Sequence, residues 1–181
     1  MLGVDTEWPE GPDGLPTRCA ARVVLIDRRA RQVLLVRGHD YDNPEHSWWF
    51  SVGGGVEDGE DTRLAAVREC AEETGYVLTC DELCGPVIER NVVMRFARRD
   101  RRQYETFYLA FVDRFDVDTA SWTDDEHQLL DGIRWLNVDD LAALATRESI
   151  YPAVLVDLVP KWASSGWSGE CLVYEDLDET R

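Results

Sequence analysis

No stretch of this chain limits its possible folds more than Gly53 to Tyr76, GGGVEDGEDTRLAAVRECAEETGY. It reads as a glycine-rich loop feeding a short helix. Asp61 or Thr62 supplies the cap, Leu64 to Thr74 the turns, and Gly75 the left-handed residue that stops it. At the helical period, Glu69, Glu72 and Glu73 fall within an arc of about 100°, while Leu64, Val67, Cys70 and Ala71 spread over the opposite side. One side docks on a core and the other gathers carboxylates. Two such charges about 6 Å apart repel by about 2–3 kcal/mol at an effective dielectric near 20, so three together ask for a neutralising partner. Hard oxygen ligands suit Mg²⁺ or Mn²⁺ and suit zinc less well. Taken alone, ExxEE also describes a solvated acidic face, and the residues around it decide between the two.

Counting from Gly54, five residues lead to Glu60, seven more lead to Arg68, and Glu69, Cys70, Ala71, Glu72, Glu73, Thr74, Gly75 and Tyr76 follow. This pattern resembles the signature box of the Nudix hydrolase family (MutT-like), with every fixed position filled, although the box covers only 23 of 181 residues. The resemblance implies an α/β fold, a Nudix-type α/β/α sandwich with a mixed β-sheet. It also implies hydrolysis of a nucleoside diphosphate linked to another moiety, with a divalent metal required. Within it, Glu69 and Glu73 match the principal metal ligands, Glu72 a further ligand or metal-water contact, and the carbonyl of Gly53 another. Glu60 and Arg68 match a pair that braces loop against helix, starting from Gly54. Relatives usually carry a proline before the glycines, where this chain has Val52.

At 181 residues and 44% hydrophobic content the chain can bury one good core. The expected layout is an N-terminal tail or edge extension over 1–17, one domain over 18–165 and an acidic C-terminal tail over 166–181. No apolar run approaches a membrane span and the N-terminus lacks the features of a signal peptide, so a cytoplasmic location is expected. Five cysteines in apolar contexts predict reduced, buried thiols, and Cys80 with Cys84 lacks the second pair that a zinc site needs. The formal charge of −17 disfavours nonspecific binding to nucleic acid. A phosphate substrate remains compatible, because a divalent ion and a local basic patch can invert the field at the site.

Along the chain, Arg18–Asp27 is a nearly continuous apolar strand, as in a sheet covered on both faces. Gln32–Arg37 returns as a second strand, with Arg37 at its end able to reach a phosphate. Gly38–Ser47 reads as a polar loop with an Asn-Pro turn, and Trp48–Phe50 as a short strand. One of its tryptophans belongs in the core and the other, taken as Trp49, is a candidate for stacking on a nucleobase. Val77–Thr79, Pro86–Phe96 and Gln103–Asp113 are expected strands. Between the last two, Arg95 to Arg102 is arginine-rich. It reads either as a solvated turn or as a phosphate clamp that includes Arg95, Arg99 and Arg102. Glu105 shares a strand face with Phe107, Leu109 and Phe111, so it needs a partner. Ser121–His127 is an acidic loop, Ile133–Asn137 a strand, and Val138–Thr146 and Pro152–Trp162 helices. Family members often carry a further downstream carboxylate as metal ligand or general base. Glu126 is the first candidate for that role here and Glu105 the second.

Together these features predict metal-assisted attack of water on a phosphorus of a diphosphate in a small-molecule nucleotide. The residues in named roles are Glu69, Glu72 and Glu73 for the metal, Glu126 or Glu105 for the water, and Arg37 with the hairpin arginines for phosphate. The proline that marks ADP-ribose specialists is absent, Asn91 and Val92 standing in that region, and Val93 and Met94 replace the tyrosine of dinucleoside polyphosphate hydrolases. Nucleoside triphosphates, nucleotide sugars and capped or 5′-triphosphorylated RNA ends are left, with a long RNA the least attractive given the net charge. A non-catalytic nucleotide-sensing module on the same fold is the alternative, and an isoprenoid diphosphate isomerase would need residues not placed here. The resemblance allows a homodimer.

Overall fold

A strand that is apolar on both sides belongs in the middle of a layered domain. The computed structural model, which describes residues 8–41, 43–95 and 99–176, puts β1 (Thr17–Asp27) there. The remaining strands are β2 (Gln32–Asp40), β3 (Asn43–Phe50), β4 (Val52–Gly55), β5 (Cys84–Met94), β6 (Arg101–Phe111), β7 (Leu130–Asn137), β8 (Ser149–Tyr151) and β9 (Leu172–Asp176). They form one mixed sheet in the order β8-β3-β2-β1-β6-β5-β9, with β4 also paired to β1 and β7 also paired to β2. The helices are α1 (Thr62–Thr74), α2 (Asp124–Leu129), α3 (Leu141–Ala145) and α4 (Leu155–Ser165).

Alternation along β1 divides the core in two. Val24 and Ile26 join Leu35, Phe107, Leu109, Leu141, Val159 and Trp162 on the face covered by α3 and α4. Ala21, Val23 and Leu25 join Leu34, Val36, Tyr108 and the α1 residues Ala65, Ala66 and Cys70 on the other. Each fully buried aliphatic or aromatic side chain contributes roughly 1.5–3 kcal/mol, so both helical layers are held by the same strand. This is the α/β/α sandwich that the sequence predicts.

One edge of β1 is shared. β2 pairs with Leu25 to Asp27, and β4 pairs with Ala20 to Val23, in the register Arg22↔Gly53 and Ala21↔Gly54. Gly53 has φ +135°, and a Cβ there would stand 2.2 Å from the Ala21 carbonyl oxygen. Only glycine fits, and the fit sets the Gly53 carbonyl across from Arg22. Asp61 caps α1 by accepting from the Arg63 amide at 2.9 Å, and Gly75 ends it at φ 72°.

Several expected boundaries move. Gly38–Ser47 is the end of a β-hairpin, because β2 runs to Asp40 and pairs His39 with Ser47. Its polarity reflects side chains that pair across strands beyond the core. Val77–Thr79 forms no strand; the segment after it is tied to the helix by Arg63, which donates to the carbonyls of Cys80, Leu83 and Gly85. Part of the acidic loop is α2, capped by Thr123 and Glu126. Cys70 is buried as expected, but Cys80 and Cys84 are half-buried and Cys19 and Cys171 exposed. Phe96 lies outside the described residues.

Part of the expected C-terminal tail is structural, since β9 pairs in parallel with β5 from Ile88 to Val92 and Tyr174 packs against the α4-side core. Ending the chain after Gly166 should therefore lower stability by about 2 kcal/mol or more, a drop in Tm of about 4–8 °C. A thermal melt unchanged by the truncation would return the whole segment to the status of a tail.

Candidate metal and pyrophosphate site

The box helix and the glycine strand meet through one arginine. Arg68 donates to Glu60 through Nε (3.0 Å) and Nη2 (2.9 Å), to Glu69 and Glu72 through Nη1 (2.7 and 3.0 Å), and to the Gly55 carbonyl through Nη2 (2.8 Å). The bidentate grip holds the Glu60 carboxyl below its usual range, and Glu60 in turn pushes the Arg68 guanidinium further up. Glu69 lies against Gly54, where a Cβ would come 2.5 Å from its carboxylate. Burial pushes the Glu69 carboxyl up against the opposing pull of Arg68. Glu73 is 5% exposed and accepts from the Gly53 amide at 2.8 Å. Burial, with smaller contributions from the charges of Glu69 and Glu126, pushes its carboxyl up to about 8.

Glu69, Glu72 and Glu73 thus stand on one turn of helix beside the glycines. Their donor chemistry fits a hard divalent cation. Among the described residues no three acidic, histidine or cysteine side chains converge as a metal-holding group, because Glu69 and Glu72 are turned onto Arg68 and Glu73 onto the Gly53 amide. Glu69 and Glu72 each give Arg68 one carboxylate oxygen, so a cation would draw on the other.

On the other side of β4 lies a cluster that the sequence reading did not assemble. Glu105, 2% exposed, accepts at Oε1 from Arg22 Nε and Gln103 Nε2, both at 2.6 Å, and at Oε2 from Arg90. Arg22 Nη1 reaches on to the carbonyls of Ser51 (3.2 Å) and Gly53 (3.0 Å). Although burial opposes it, the two guanidiniums and Gln103 hold the Glu105 carboxyl down at about 2. That overturns Glu105 as general base, since both oxygens are engaged and the group has no appetite for a proton. The signal was available: charged Arg22 and Arg90 recur in otherwise apolar strands, as Glu105 does.

Glu126 sits nearer to the box. Trp122, just before α2, donates its indole N–H to the Glu73 carbonyl at 2.9 Å, drawing α2 to the end of α1. The Glu126 charge is felt at Glu73, while its Oε2 accepts from the Thr123 amide (2.6 Å) and hydroxyl (2.7 Å).

The expected substrate residues are placed otherwise. Arg37 is spent on Glu148 (3.0 Å), Asp131 (2.8 Å) and the Ser47 hydroxyl (2.8 Å). Trp49 is 4% exposed in the α4-side core with its indole N–H on Glu148, so it offers no ring face to a base. The hairpin arginines are not gathered into a clamp, since Arg95 pairs with Asp100, Arg99 donates to the Gly14 carbonyl, and Arg102 pairs with Asp13 and donates to Asn91. Residues 96–98 of that hairpin lie outside the described residues. The N-terminal segment instead supplies Trp8, 8% exposed, whose ring lies 4.1 Å from the Arg18 guanidinium and 5.1 Å from that of Arg101.

Comparison with known proteins gives the family. The NUDIX domain profile matches residues 16–157. An RNA pyrophosphohydrolase of Caulobacter vibrioides is 31% identical over 145 residues, 73% of this chain and 75% of that protein. One from Rhodospirillum rubrum is 31% identical over 161 residues, 83% and 92% of the two chains. A third, from Dinoroseobacter shibae, is 43% identical over 70 residues, with the aligned part spanning 41% of that protein. Among solved structures, a MutT NUDIX hydrolase from Burkholderia pseudomallei superposes with a TM-score of 0.55 at 20% identity, covering 80% of this chain and 96% of that one, a likeness of fold. The chain belongs to the NUDIX family. In class it is a pyrophosphohydrolase. No helix among the described residues is long and apolar enough to cross a membrane.

The two buried carboxyls give the metal-free protein opposite pH limbs. Glu73, raised in the folded state from 4.5 to about 8, contributes stability that is full below its unfolded value and is lost as pH rises toward 8. Glu105, lowered from 4.5 to about 2, contributes stability that is full above its unfolded value and is lost as pH falls toward 2. Thermal melts in chelator should therefore show stability declining between pH 5 and 8, and Glu73→Gln should flatten that alkaline limb while leaving the acid one. Parallel curves for variant and parent across that window would refute the assignment.

Proposed function

We propose that this chain hydrolyses a pyrophosphate linkage of a nucleotide-type substrate with the help of Mg²⁺ or Mn²⁺, and that a 5′-triphosphorylated RNA end is the first substrate to examine. What carries the reading is the Arg68 bracket, which collects Glu60, Glu69 and Glu72 beside the glycine strand while Glu73 is buried against the Gly53 amide. Glu69, Glu72 and Glu73 would hold the divalent ion, and the Gly53 carbonyl is the nearest backbone candidate. When bound, the ion would polarise the phosphoryl oxygens and offset charge that builds up during displacement.

The protein's own groups do the rest. Arg68 keeps the loop and helix in register, so the carboxylates stay in one place as substrate arrives. Glu126 would accept the proton of the attacking water, since its cap bonds use one oxygen only, whereas Glu105 is committed to two guanidiniums. Arg22 bonds the Gly53 carbonyl from the strand side and would meet the phosphate chain. The relatives named RNA pyrophosphohydrolase move an RNA end ahead of nucleoside triphosphates and nucleotide sugars. The charge of −17 bears less heavily against such a substrate than against a nucleic acid bound along its length, because only the terminal phosphates need enter.

The test is a panel of triphosphorylated oligonucleotide, nucleoside triphosphates and nucleotide sugars, with phosphate and pyrophosphate release followed in Mg²⁺ and in Mn²⁺. Glu73→Gln should fold and lose about a hundredfold or more in turnover. A parent that releases nothing from any substrate, or a variant as active as the parent, would end this reading.

A further inference from the structure

The Gly53 carbonyl is claimed twice. The proposed function would offer it to the divalent ion, and it already accepts from Arg22 Nη1 at 3.0 Å. The claim by Arg22 is firm, because the guanidinium is anchored from behind. Its Nε bonds Glu105 at 2.6 Å, and Glu105 is itself pinned by Arg90 and by Gln103. Its Nη1 also spans to the Ser51 carbonyl at 3.2 Å, and its ring-side face lies 5.4 Å from Phe50. Gly53 cannot turn its carbonyl elsewhere at low cost, since its φ of +135° and the closeness of Ala21 and Arg22 fix the peptide.

We infer that Arg22 is an internal competitor of the divalent ion for the Gly53 carbonyl, displaced when the ion binds and thereby freed to turn, about its Glu105 tether, onto the substrate's phosphate. This rests on the proposed metal-dependent function. A guanidinium and a divalent cation cannot share one carbonyl oxygen without strong repulsion, and an arriving phosphate is the group that can satisfy both. The ion alone should accordingly bind weakly, and ion with substrate should bind well. Glu105 keeps its bond to Nε throughout, so the arginine moves its outer nitrogens and not its place.

The experiment measures Mn²⁺ binding to the full chain without substrate, by the electron paramagnetic resonance of free Mn²⁺. Arg22→Met removes the competitor and should tighten Mn²⁺ binding tenfold or more, while turnover with the best panel substrate falls by a similar factor. Arg22→Gln does the same with a donor left for Glu105, and guards against a Met variant that does not fold. If either folded variant binds Mn²⁺ no more tightly than the parent, the competition does not exist. A parent that binds Mn²⁺ and turns over substrate in that case leaves the metal-dependent function standing. A parent that binds no Mn²⁺ even at millimolar concentration and turns over no substrate in its presence overturns both.

Discussion

Four carboxylates and one guanidinium meet where the glycine strand touches α1, and the bonds of Arg68 are what make that meeting tolerable. Glu60, Glu69, Glu72 and Glu73 against Arg68 leave a formal charge of −3 when all are ionised, four minus one. Each pair about 6 Å apart costs about 2–3 kcal/mol at an effective dielectric near 20. The arginine fork offsets three of the four by direct bonds, and its hold on the Gly55 carbonyl fastens the loop to the helix in the same stroke. Glu73 is out of its reach. That carboxyl is buried, and the Gly53 amide and the charge of Arg22 compensate only in part for burial and its neighbours' charge, hence its preference for a proton. A cation held there, as proposed, would gain Coulomb energy from the carboxylates and would have to displace the proton of Glu73.

Most of this was legible before any coordinates, and the reason is that it is local. The cap at Asp61, the stop at Gly75 and the reach of Arg68 to Glu72 are all set within a turn or two of helix. The apolar run of β1 likewise announces a strand covered on both faces. The misreadings are nonlocal. Trp49 goes inward because β8 pairs alongside β3 and brings Glu148 to its indole, a partner 99 residues away. Arg37 is drawn into the same network. β9 hides in a segment whose acidic, Gly/Ser-rich composition resembles a tail, and only the open edge of β5 makes it a strand. The hairpin over 38–47 looked like a loop because its polar side chains find partners on neighbouring strands, His39 on Asp131 and Ser47 on Arg37, contacts that have no signature in a single stretch of sequence.

The same nonlocality draws the N-terminal segment into the domain. A tail ending at residue 17 would leave Trp8 in water, yet the segment folds back on itself through Thr17 to Pro9 and is pinned by Asp13 to Arg102. Trp8 then lies over Arg18 and Arg101. Arg18 reaches the other way to Gln103 and is felt electrostatically at Glu69, so the segment adjoins the site through one side chain. Arg95, Arg99 and Arg102 at the hairpin are thus tied down, while on the strand interior Arg18 lies beside Gly55, Arg22 bonds the Gly53 carbonyl and Arg90 backs Glu105.

That distribution gives the loop two electrostatic sides. Carboxylates line its helix side and guanidiniums its strand side, with the Gly53 peptide as the boundary: its amide donates to Glu73 and its carbonyl accepts from Arg22. A divalent ion and a guanidinium about 4 Å apart repel by about 8 kcal/mol at an effective dielectric near 20, so neither side can advance across the boundary unaided. A diphosphate is anionic along its whole length. In the proposed arrangement it would meet the ion with some oxygens and Arg22 with others, so that the repulsion between the two cations would give way to two attractions. On the proposed function, a protein of net charge −17 would in this way favour a phosphate chain presented end-on, because the favourable field would exist only within a few ångströms of the loop.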